Sequence, residues 1–508
     1  MDFPDATTEP DRPWWRRPAA LLVAAALALY CILLVEDIGA VAGGSDSSGY
    51  LNHARLLSQG RVHLPERAIP GLPPASAPSY LYVPLGFRPA RDGDGLVPTY
   101  PSGLALFIVA LKPVAGWRHA GDLVIILHSI AGLVATYAVC RILGLGRPWA
   151  LLGAALVAAS PLYLFMSLQA MSDVPSLFWT AAAILAAVRS RERPGWAVAA
   201  GAAVAVDVLL RPANLLVVVP LAAVLGMSPR RWILFLAGGV PGALYFAAHS
   251  HAAYGSYLAT GYGDATRSFQ AAFVPGTLAH YARWLPALFT PVVVLALALP
   301  WARGVPPWVR WLLCLWIIPF AAFYSAYLCT HEAWWYLRFL LPIAPALVAG
   351  ALLVLRAILS HAPAGVDPGR SAAALAAALA LVALFSGWWI HRLNVLNIGR
   401  EELRYGHVAR WMQANVPHDA VCLSMQASGA LLYYTDFTIM RWDMLNRANA
   451  GGVEAAIRAA HRPLYAVLFP FELDDSGALS RHMPGDWKQV GRVDAVTIWR
   501  RDLDGRKP

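Results

Sequence analysis

Charged residues are scarce in this chain. Only 14% of its 508 residues are Asp, Glu, Lys or Arg, whereas 58% are hydrophobic, and the mean hydropathy is +0.51. This composition excludes a single soluble core. The apolar residues form runs of about 15 to 20, a length that suits helices crossing a hydrocarbon layer of roughly 30 Å. The sequence therefore predicts an α-helical polytopic membrane protein.

Lysine is almost absent, so arginine supplies nearly all of the net charge of +10; the lysines are Lys112, Lys488 and Lys507. A basic balance in a soluble protein suggests nucleic acid as a partner. Here, however, the arginines lie in short connectors between hydrophobic runs, which is typical of cytoplasmic connectors. The positions of the positive charges thus indicate which connectors are cytoplasmic, and no nucleic-acid partner is predicted.

The chain also lacks the motifs of zinc and nucleotide sites. Its five cysteines include no CxxC pair and no cluster with histidine. Cys329 and Cys422 are both predicted outside the cell, where a disulfide and two free thiols are about equally compatible with the sequence. No GxxxxGK(S/T) motif or glycine-rich strand-to-helix turn occurs. An activated substrate reached from the outer leaflet would therefore be lipid-linked.

The charges of the connectors determine the predicted topology. The arginine-rich N-terminal flank and five later connectors with two or more arginines are placed inside. The later connectors lie inside only if PSGLALFIVALKPVAGW does not cross the membrane. This run is therefore predicted as an interfacial or re-entrant helix that closes a first outer loop of about residues 36–122. About eleven spans result, near residues 19–35, 123–140, 149–168, 175–188, 196–209, 212–227, 232–248, 286–301, 309–326, 340–357 and 371–390.

Two further segments complete the predicted organisation. GAVAGG, directly after the first span, resembles a signal-peptidase site, but the many spans that follow favour a retained signal anchor. Residues 1–390 are predicted as the transmembrane domain, and residues 391–508 as a small soluble domain outside the membrane. In this tail an amphipathic helix, REELRYGHVARWMQANVP, precedes alternating strands and helices, which favours an α/β fold.

Distinctive polar residues collect on the predicted outer face. Asp46 follows the first span, where Ser45 or Asp46 could cap a helix. A carboxylate in a partly desolvated cleft outside the bilayer could equally serve proton transfer. Asp173 lies at the tip of a helical hairpin before Pro175, where Ser172 or Asp173 could again be a cap.

The sequence VAVDVLLRPANLL places Asp207 and Arg211 four residues apart. They could form a helical ion pair or, as ionisable groups at membrane depth, a functional site.

Two later outer segments contain further candidates. CTHEAWWYLRFLLP includes Arg338, which could reach a lipid headgroup or hold a substrate phosphate, and its tryptophans and tyrosine fit an interfacial aromatic belt. The loop of residues 249–286 is long and aromatic-rich, and it is predicted to form part of a cleft wall. The candidate cleft residues of these two segments are Tyr262, Asp264, His331, Glu332 and Tyr336.

Four motifs in this order resemble those of the GT-C superfamily of membrane glycosyltransferases, especially the branch that contains protein O-mannosyltransferases and aminoarabinose transferases of lipid A. The first is D-x3-Y-x3-A-x2-L-x2-G, which begins at Asp46 and includes Tyr50. The second is the start of TYPSGLALF at Tyr100. The third is a hairpin tip that pairs Ser160-Pro161 with MSD, and the fourth is YLRFLLP.

The resemblance implies transfer of a sugar from a polyprenyl-phosphate carrier to a hydroxyl group of a lipid, protein or polysaccharide at the outer face of the cell membrane. Asp46 would be the general base, Arg211 and Arg338 would hold the leaving phosphate, and direct displacement would invert the anomeric centre. Asp173 would orient the acceptor or a nearby helix, and Tyr50, Tyr100 and Asp207 would belong to the cleft.

Many relatives carry a second acid directly after the first aspartate, but Ser47 stands there in this sequence. Hard divalent cations prefer several carboxylate ligands, so an essential metal is disfavoured. The main alternative function is a transporter or flippase of a lipid-linked substrate, which would show an internal repeat and polar groups at the membrane midplane. A second alternative is an outer-face phosphotransferase, which would need a nucleophile or a metal cluster.

Overall fold

Helices dominate the computed structural model, which describes residues 18–91, 93, 95–264, 266–360 and 372–503. The basic N-terminal flank and most of the connector before residue 372 lie outside the described residues. The helices of the first 392 residues are α1 (Pro18–Asp37), α2 (Ser45–Ser58), α3 (Gly103–Ile142), α4 (Arg147–Ala158), α5 (Pro161–Ser167), α6 (Asp173–Arg189), α7 (Trp196–Leu210), α8 (Val218–Leu225), α9 (Pro229–Tyr254), α10 (Val274–Phe289), α11 (Pro307–Ser325), α12 (Ala344–Leu359) and α13 (Ala372–Arg392).

Among the described residues, five helices are long and apolar enough to cross a membrane, and up to seven if two bent helix pairs each count as one span. The number of eleven spans therefore stays a prediction. The predicted span of residues 149–168 is bent by 62° between α4 and α5, where Pro161 begins the second helix. The predicted span of residues 286–301 is bent by 115° between α10 and a 3-10 helix, Pro291–Trp301. Proline at these positions starts a new helix instead of extending the old one.

The helix predicted to close the first outer loop is present, but it is not separate from the next span. It forms the first part of α3, and the only break is at Gly116, whose φ of 66° lies in the left-handed region. Glycine adopts this conformation without a steric penalty. Pro113 lies inside the helix and does not end it.

The chain after α13 folds as a mixed sheet with helices. Its helices are α14 (Ile398–Asn415), α15 (Ser428–Tyr434), α16 (Ala450–Ala459) and α17 (Pro470–Leu473). A two-stranded ribbon, β1 (Phe87–Pro89) and β2 (Leu96–Pro98), belongs to the segment between α2 and α3. The strands of the larger sheet are β3 (Val421–Leu423), β4 (Thr438–Met440), β5 (Leu464–Leu468), β6 (Trp487–Val493) and β7 (Val496–Arg501), in the spatial order β4-β3-β5-β7-β6.

The elements predicted for this tail from its hydrophobic pattern are confirmed, whereas β6 was not predicted. β3 is parallel to β4 and β5, and β7 is antiparallel to β5 and β6. β6 is an edge strand without a buried residue, and Lys488, Gln489 and Arg492 interrupt its apolar residues, so it lacks a hydrophobic signal. Cys422 on β3 is buried, and Cys329 and Cys422 are both free, so the structure has no disulfide between them.

The C-terminal sheet and helices pack directly on α2. The Leu85 amide donates to Ser428 Oγ at 2.9 Å, and the Asn52 side chain donates to the carbonyl oxygen of Gly429 at 2.9 Å. The guanidinium of Arg55 lies 3.6 Å from the centroid of the Tyr433 ring. The start of α15 therefore fits against α2 and the segment that follows it, and α2 is held between the membrane helices and the C-terminal domain.

Close glycine contacts bring α14 against the chain after α1. A Cβ atom at Gly399 would overlap the carbonyl oxygen of Asp37, and one at Gly39 would overlap Gly399. We expect Gly399→Ala to destabilise the protein by about 1–3 kcal/mol, because backbone atoms must move apart to admit the methyl group. Thermal unfolding of the purified protein in detergent would measure this change. Gly452→Ala in α16, where nothing lies within 4 Å of the added atom, is the control. Equal melting temperatures for the two variants would contradict the expectation.

Candidate active site

Asp46 lies in the first turn of α2, and its carboxylate faces Arg338. Their side chains form an ion pair of 2.6 Å between Oδ2 and Nη2, with 19% of the aspartate and 11% of the arginine side chain exposed. Gly44 is the N-cap, and no side chain caps the helix, so Asp46 does not serve as a cap. The local sequence GGSDSS allows the tight entry into α2 that aims the aspartate away from its own backbone.

The environment of Asp46 keeps it ionised. Burial by itself would raise its pKa, but the Arg338 charge and hydrogen bonds from Tyr100 and Arg338 outweigh burial and hold the pKa of Asp46 below its usual value. Burial and the nearby carboxylate raise the pKa of Tyr100 well above its ordinary value, so its hydroxyl stays protonated and can donate. In this state Asp46 is a weak base with its charge already compensated.

Asp173 and Arg211 form a second buried ion pair. Asp173 Oδ1 and Arg211 Nη2 are 2.6 Å apart, and the Asp173 side chain has no exposed surface. Arg211 Nε also donates to Ser172 Oγ at 3.1 Å, and the Tyr50 hydroxyl lies 2.9 Å from that same oxygen. Ser172 is the N-cap residue of α6, as one of the two alternatives had it, but its side chain makes no capping hydrogen bond.

The ion pair that the spacing of Asp207 and Arg211 suggested does not form. Arg211 precedes Pro212, and a residue before proline is driven out of the helical region. α7 therefore ends at Leu210, Arg211 has extended backbone angles of −151° and 112°, and its side chain turns towards Asp173. Asp207 stays buried in α7 and accepts hydrogen bonds from Thr180 Oγ1 at 2.5 Å and Asn214 Nδ2 at 2.7 Å.

The two ion pairs meet on one aromatic ring. The guanidinium carbons of Arg211 and Arg338 each lie 5.2 Å from the centroid of Phe339. Cations over aromatic faces are stabilised, and a shared ring fixes the two guanidinium groups relative to each other. We call Asp46, Asp173, Arg211 and Arg338 the paired-charge cluster. Two acids and two arginines make its formal charge zero.

Three tyrosines extend from this cluster. The ring centroids of Tyr50 and Tyr100 are 5.2 Å apart, and those of Tyr100 and Tyr262 are 6.3 Å apart. The Tyr100 hydroxyl lies 2.8 Å from Ser45 Oγ. The tyrosines therefore form a row that reaches Asp46 through the Tyr100 hydroxyl, and Tyr262, which is 48% exposed, forms the end of the row.

A cavity of about 490 Å³ opens beside the Asp46–Arg338 pair. It is lined by the start of α2 (residues 44–47), by residues 165–171 and 334–338, and by residues 393–402. Trp334, Trp335 and Tyr336 supply an aromatic wall, and its size is within the range of small-molecule sites. Arg211 and Asp173 do not line the cavity. They lie behind Arg338, so the two arginines do not share a single opening as the sequence suggested.

Tyr336 is the predicted cleft residue that lines this cavity. The predicted cleft residues outside its lining are Tyr50, Tyr100, Asp173, Asp207, Tyr262, Asp264, His331 and Glu332. Asp264 is exposed and accepts hydrogen bonds from the backbone and side chain of Thr266 at 3.0 and 2.6 Å, which is a local turn. His331 stacks on Phe273 with ring centroids 5.6 Å apart. Glu332 is exposed. Within the described residues, no group of three or more histidine, cysteine, aspartate or glutamate side chains could hold a metal ion.

Sequence reasoning missed two residues of the site, Phe339 and Glu402. Phe339 belongs to YLRFLLP, where an apolar residue among apolar neighbours gives no signal. Glu402 is buried in the cavity wall on α14, next to Gly44. A signal for it existed: Glu402 falls on the buried face of an amphipathic helix, in register with Tyr405 and Ala409, where an acid is unusual.

Solved structures with the same architecture include two membrane glycosyltransferases. The structure is similar to ArnT from Cupriavidus metallidurans bound to undecaprenyl phosphate, with a TM-score of 0.59 and 14% identity, over 96% of this chain and 100% of ArnT. It is also similar to the oligosaccharyltransferase AglB from Archaeoglobus fulgidus, in complex with an inhibitory peptide and a dolichol-phosphate, with a TM-score of 0.56 and 14% identity, over 91% of this chain and 70% of AglB. Both belong to the GT-C superfamily. This chain has the GT-C fold.

The likeness to ArnT extends over the whole of that chain and includes the C-terminal part of this one. Together with the apolar helices, the GT-C fold makes this chain a membrane protein. No protein-family model matches the sequence, and no curated protein sequence matches it either. At 14% identity the relation to ArnT and AglB lies in the fold, and the chemistry has to be argued from the site itself.

Proposed function

We propose that this protein is a glycosyltransferase that moves a sugar from a polyprenyl-phosphate carrier to a hydroxyl acceptor at the outer face of the cell membrane. The observation that carries the proposal is the Asp46–Arg338 ion pair at the wall of the cavity. It joins a carboxylate and a guanidinium, the two groups that a base and a phosphate site require. The bound lipids of ArnT and AglB, undecaprenyl phosphate and dolichol-phosphate, support a lipid-phosphate donor.

Arg338 is the primary phosphate ligand in this proposal. Its planar guanidinium can make two parallel hydrogen bonds to phosphate oxygens, and such bonds strengthen as negative charge develops on a leaving group. Arg211 also contacts the Phe339 ring, and it remains paired with Asp173. It therefore acts through the field of its charge and through the position of Arg338, whereas Arg338 contacts the phosphate.

Binding of the donor activates Asp46. The phosphate competes with Asp46 for Arg338, so the carboxylate loses the interaction that lowers its pKa and becomes a stronger base. The acceptor oxygen then attacks the anomeric carbon, and its proton passes to the Asp46 carboxylate. The bond between the anomeric carbon and the phosphate oxygen breaks, its electron pair stays on the phosphate held by Arg338, and the anomeric centre inverts.

The proposal is tested by incubating the full chain, in nanodiscs, with undecaprenyl-phosphate-linked sugars of several kinds. We expect at least one donor to be consumed, with release of undecaprenyl phosphate and formation of a glycosylated product in the presence of cell-envelope lipids as acceptors. Mass spectrometry detects both products. A transporter would instead move the intact donor across a vesicle membrane without cleaving it. Transport without cleavage would overturn the proposal.

A further inference from the structure

Glu402 brings an acid of the C-terminal domain to the wall of the cavity. Its carboxylate is buried, and Oε2 accepts a hydrogen bond from the Gly44 amide at 3.4 Å. The Ser47 hydroxyl makes a second hydrogen bond to it. Within the described part of the chain, no cation pairs with Glu402. Unlike Asp46 and Asp173, it is therefore an acid of the site without a compensating charge.

The glycines of GAVAGG make room for this carboxyl group. A Cβ atom at Gly43 would overlap Glu402 Oε2, and the contact of Gly39 with Gly399 brings the first turn of α14 against the same segment. Gly399 and Glu402 are one helical turn apart on α14. Gly399 contacts Gly39, and Glu402 contacts Gly43. A motif that resembles a signal-peptidase site is thus the surface that holds Glu402 beside α2.

The protonation state of Glu402 determines the charge of the site. The paired-charge cluster is formally neutral, so the site carries no net charge while Glu402 is protonated and one negative charge when it is ionised. Five groups face it from α2, α14 and α15: Asp46, Ser47, Glu401, Tyr405 and Tyr434. Burial raises the pKa of both tyrosines, which stay neutral, and the two acids disfavour a further negative charge.

We propose that Glu402 is a proton-controlled gate on the lipid-phosphate site, which favours bound phosphate while its carboxyl group is neutral and weakens binding when it is ionised. The inference rests on the proposed function. It adds a step after sugar transfer: the donor is a phosphodiester with one negative charge, whereas the product is a monoester whose second ionisation lies near pH 6. An ionised Glu402 repels the product more strongly than the donor, and so favours release of the spent carrier.

The direction of the pH dependence follows from burial. Burial first, and then the nearby Asp46 and Glu401 charges, raise the pKa of Glu402 to about 7, although the Gly44 and Ser47 hydrogen bonds act in the opposite direction. The neutral form prevails below this pH and the ionised form above it. Affinity for a lipid phosphate should therefore be highest below about pH 7 and should fall as the pH rises through that value.

Equilibrium binding of radiolabelled undecaprenyl phosphate to the full chain in nanodiscs, measured from pH 5.5 to 8.5, tests the gate. Between the ends of this range we expect the dissociation constant of the wild type to rise about tenfold more than that of Glu402→Gln. Ionisation of the lipid itself affects both proteins equally, so their ratio isolates Glu402. Glu192→Gln, at an exposed residue between α6 and α7, should keep the wild-type profile.

Ser47→Ala gives a second readout that does not require the loss of the carboxyl group. The Ser47 hydrogen bond lowers the pKa of Glu402, so its removal should move the midpoint of the affinity loss to higher pH. Parallel profiles for wild type and Glu402→Gln, or an unmoved midpoint in Ser47→Ala, would overturn the gate while leaving the proposed function intact. If undecaprenyl phosphate binds to none of the proteins, the lipid-phosphate site itself is wrong, and the gate with it.

Discussion

Asp46→Asn is expected to lower kcat for sugar transfer by about 10²- to 10⁴-fold, which is the usual contribution of a general base. Asparagine has the same shape as aspartate and keeps the hydrogen bond to the Tyr100 hydroxyl, so the fold of α2 should be unchanged. The substitution also removes the anion that competes with phosphate for Arg338. Binding of undecaprenyl phosphate should therefore become tighter while turnover is lost.

A lower kcat together with tighter binding of undecaprenyl phosphate is the result that identifies Asp46 as a base. Single-turnover kinetics with the donor found in the functional assay measures the first quantity, and equilibrium binding of undecaprenyl phosphate measures the second. Asp475→Asn, at an exposed position of the C-terminal domain, is the matched control and should change neither. If Asp46→Asn lost binding in proportion to turnover, Asp46 would be a residue that positions Arg338, and the base would have to be sought elsewhere.

Arg338→Gln should have the largest effect on stability as well as a large effect on activity. The substitution leaves the buried Asp46 carboxylate without its cation, and breaking a buried ion pair in this way typically destabilises a protein by about 3–5 kcal/mol. Affinity for undecaprenyl phosphate should fall by roughly 1.5–3 kcal/mol, the range for hydrogen bonds to a charged group. Without Arg338, burial raises the pKa of Asp46, so any residual activity should decline as the pH is lowered towards that pKa.

The double variant Asp46→Asn/Arg338→Gln separates these effects. Because it has no unpaired buried charge, its melting temperature should lie above that of Arg338→Gln alone, whereas its activity should not recover. Arg211→Lys provides a comparison, since Arg211 lies behind the cavity wall and should affect undecaprenyl phosphate binding less than Arg338→Lys. Equal losses of affinity for the two lysine variants would show that both arginines contact the phosphate.

The sequence identifies the residues of the site better than their partners. Asp46 and Arg338 were found because a carboxylate and a guanidinium at the ends of apolar runs are unusual. The order of the four motifs along the chain strengthens that signal. Which acid pairs with which arginine is a three-dimensional property. Asp207 and Arg211 have the right spacing for a helical ion pair. Pro212, however, ends α7 at Leu210, so Arg211 lies outside the helix and does not face Asp207.

The fold was predicted where one periodicity dominates a segment. The strands and helices of the C-terminal domain and most membrane helices follow from hydrophobic runs and their breaks. The bends between α4 and α5 and between α10 and the 3-10 helix after it were not predicted, because the length of an apolar run does not show where a helix changes direction. Glu402 stands out locally as an acid on the buried face of a helix, but its partner Gly44 lies 358 residues away in the chain, so its place in the site could not be predicted.

The contacts between α2 and the C-terminal domain also set the order in which the protein can mature. α2, which carries Asp46, is made early, but Gly429, the partner of Asn52, lies 377 residues further along, and Tyr433, the partner of Arg55, lies 378 residues further along. Contacts of such long separation form late in folding. Until the C-terminal domain has been made and has folded, the cavity has no Glu402 wall. A growing chain should therefore be inactive, and only the completed one should act on the lipids around it.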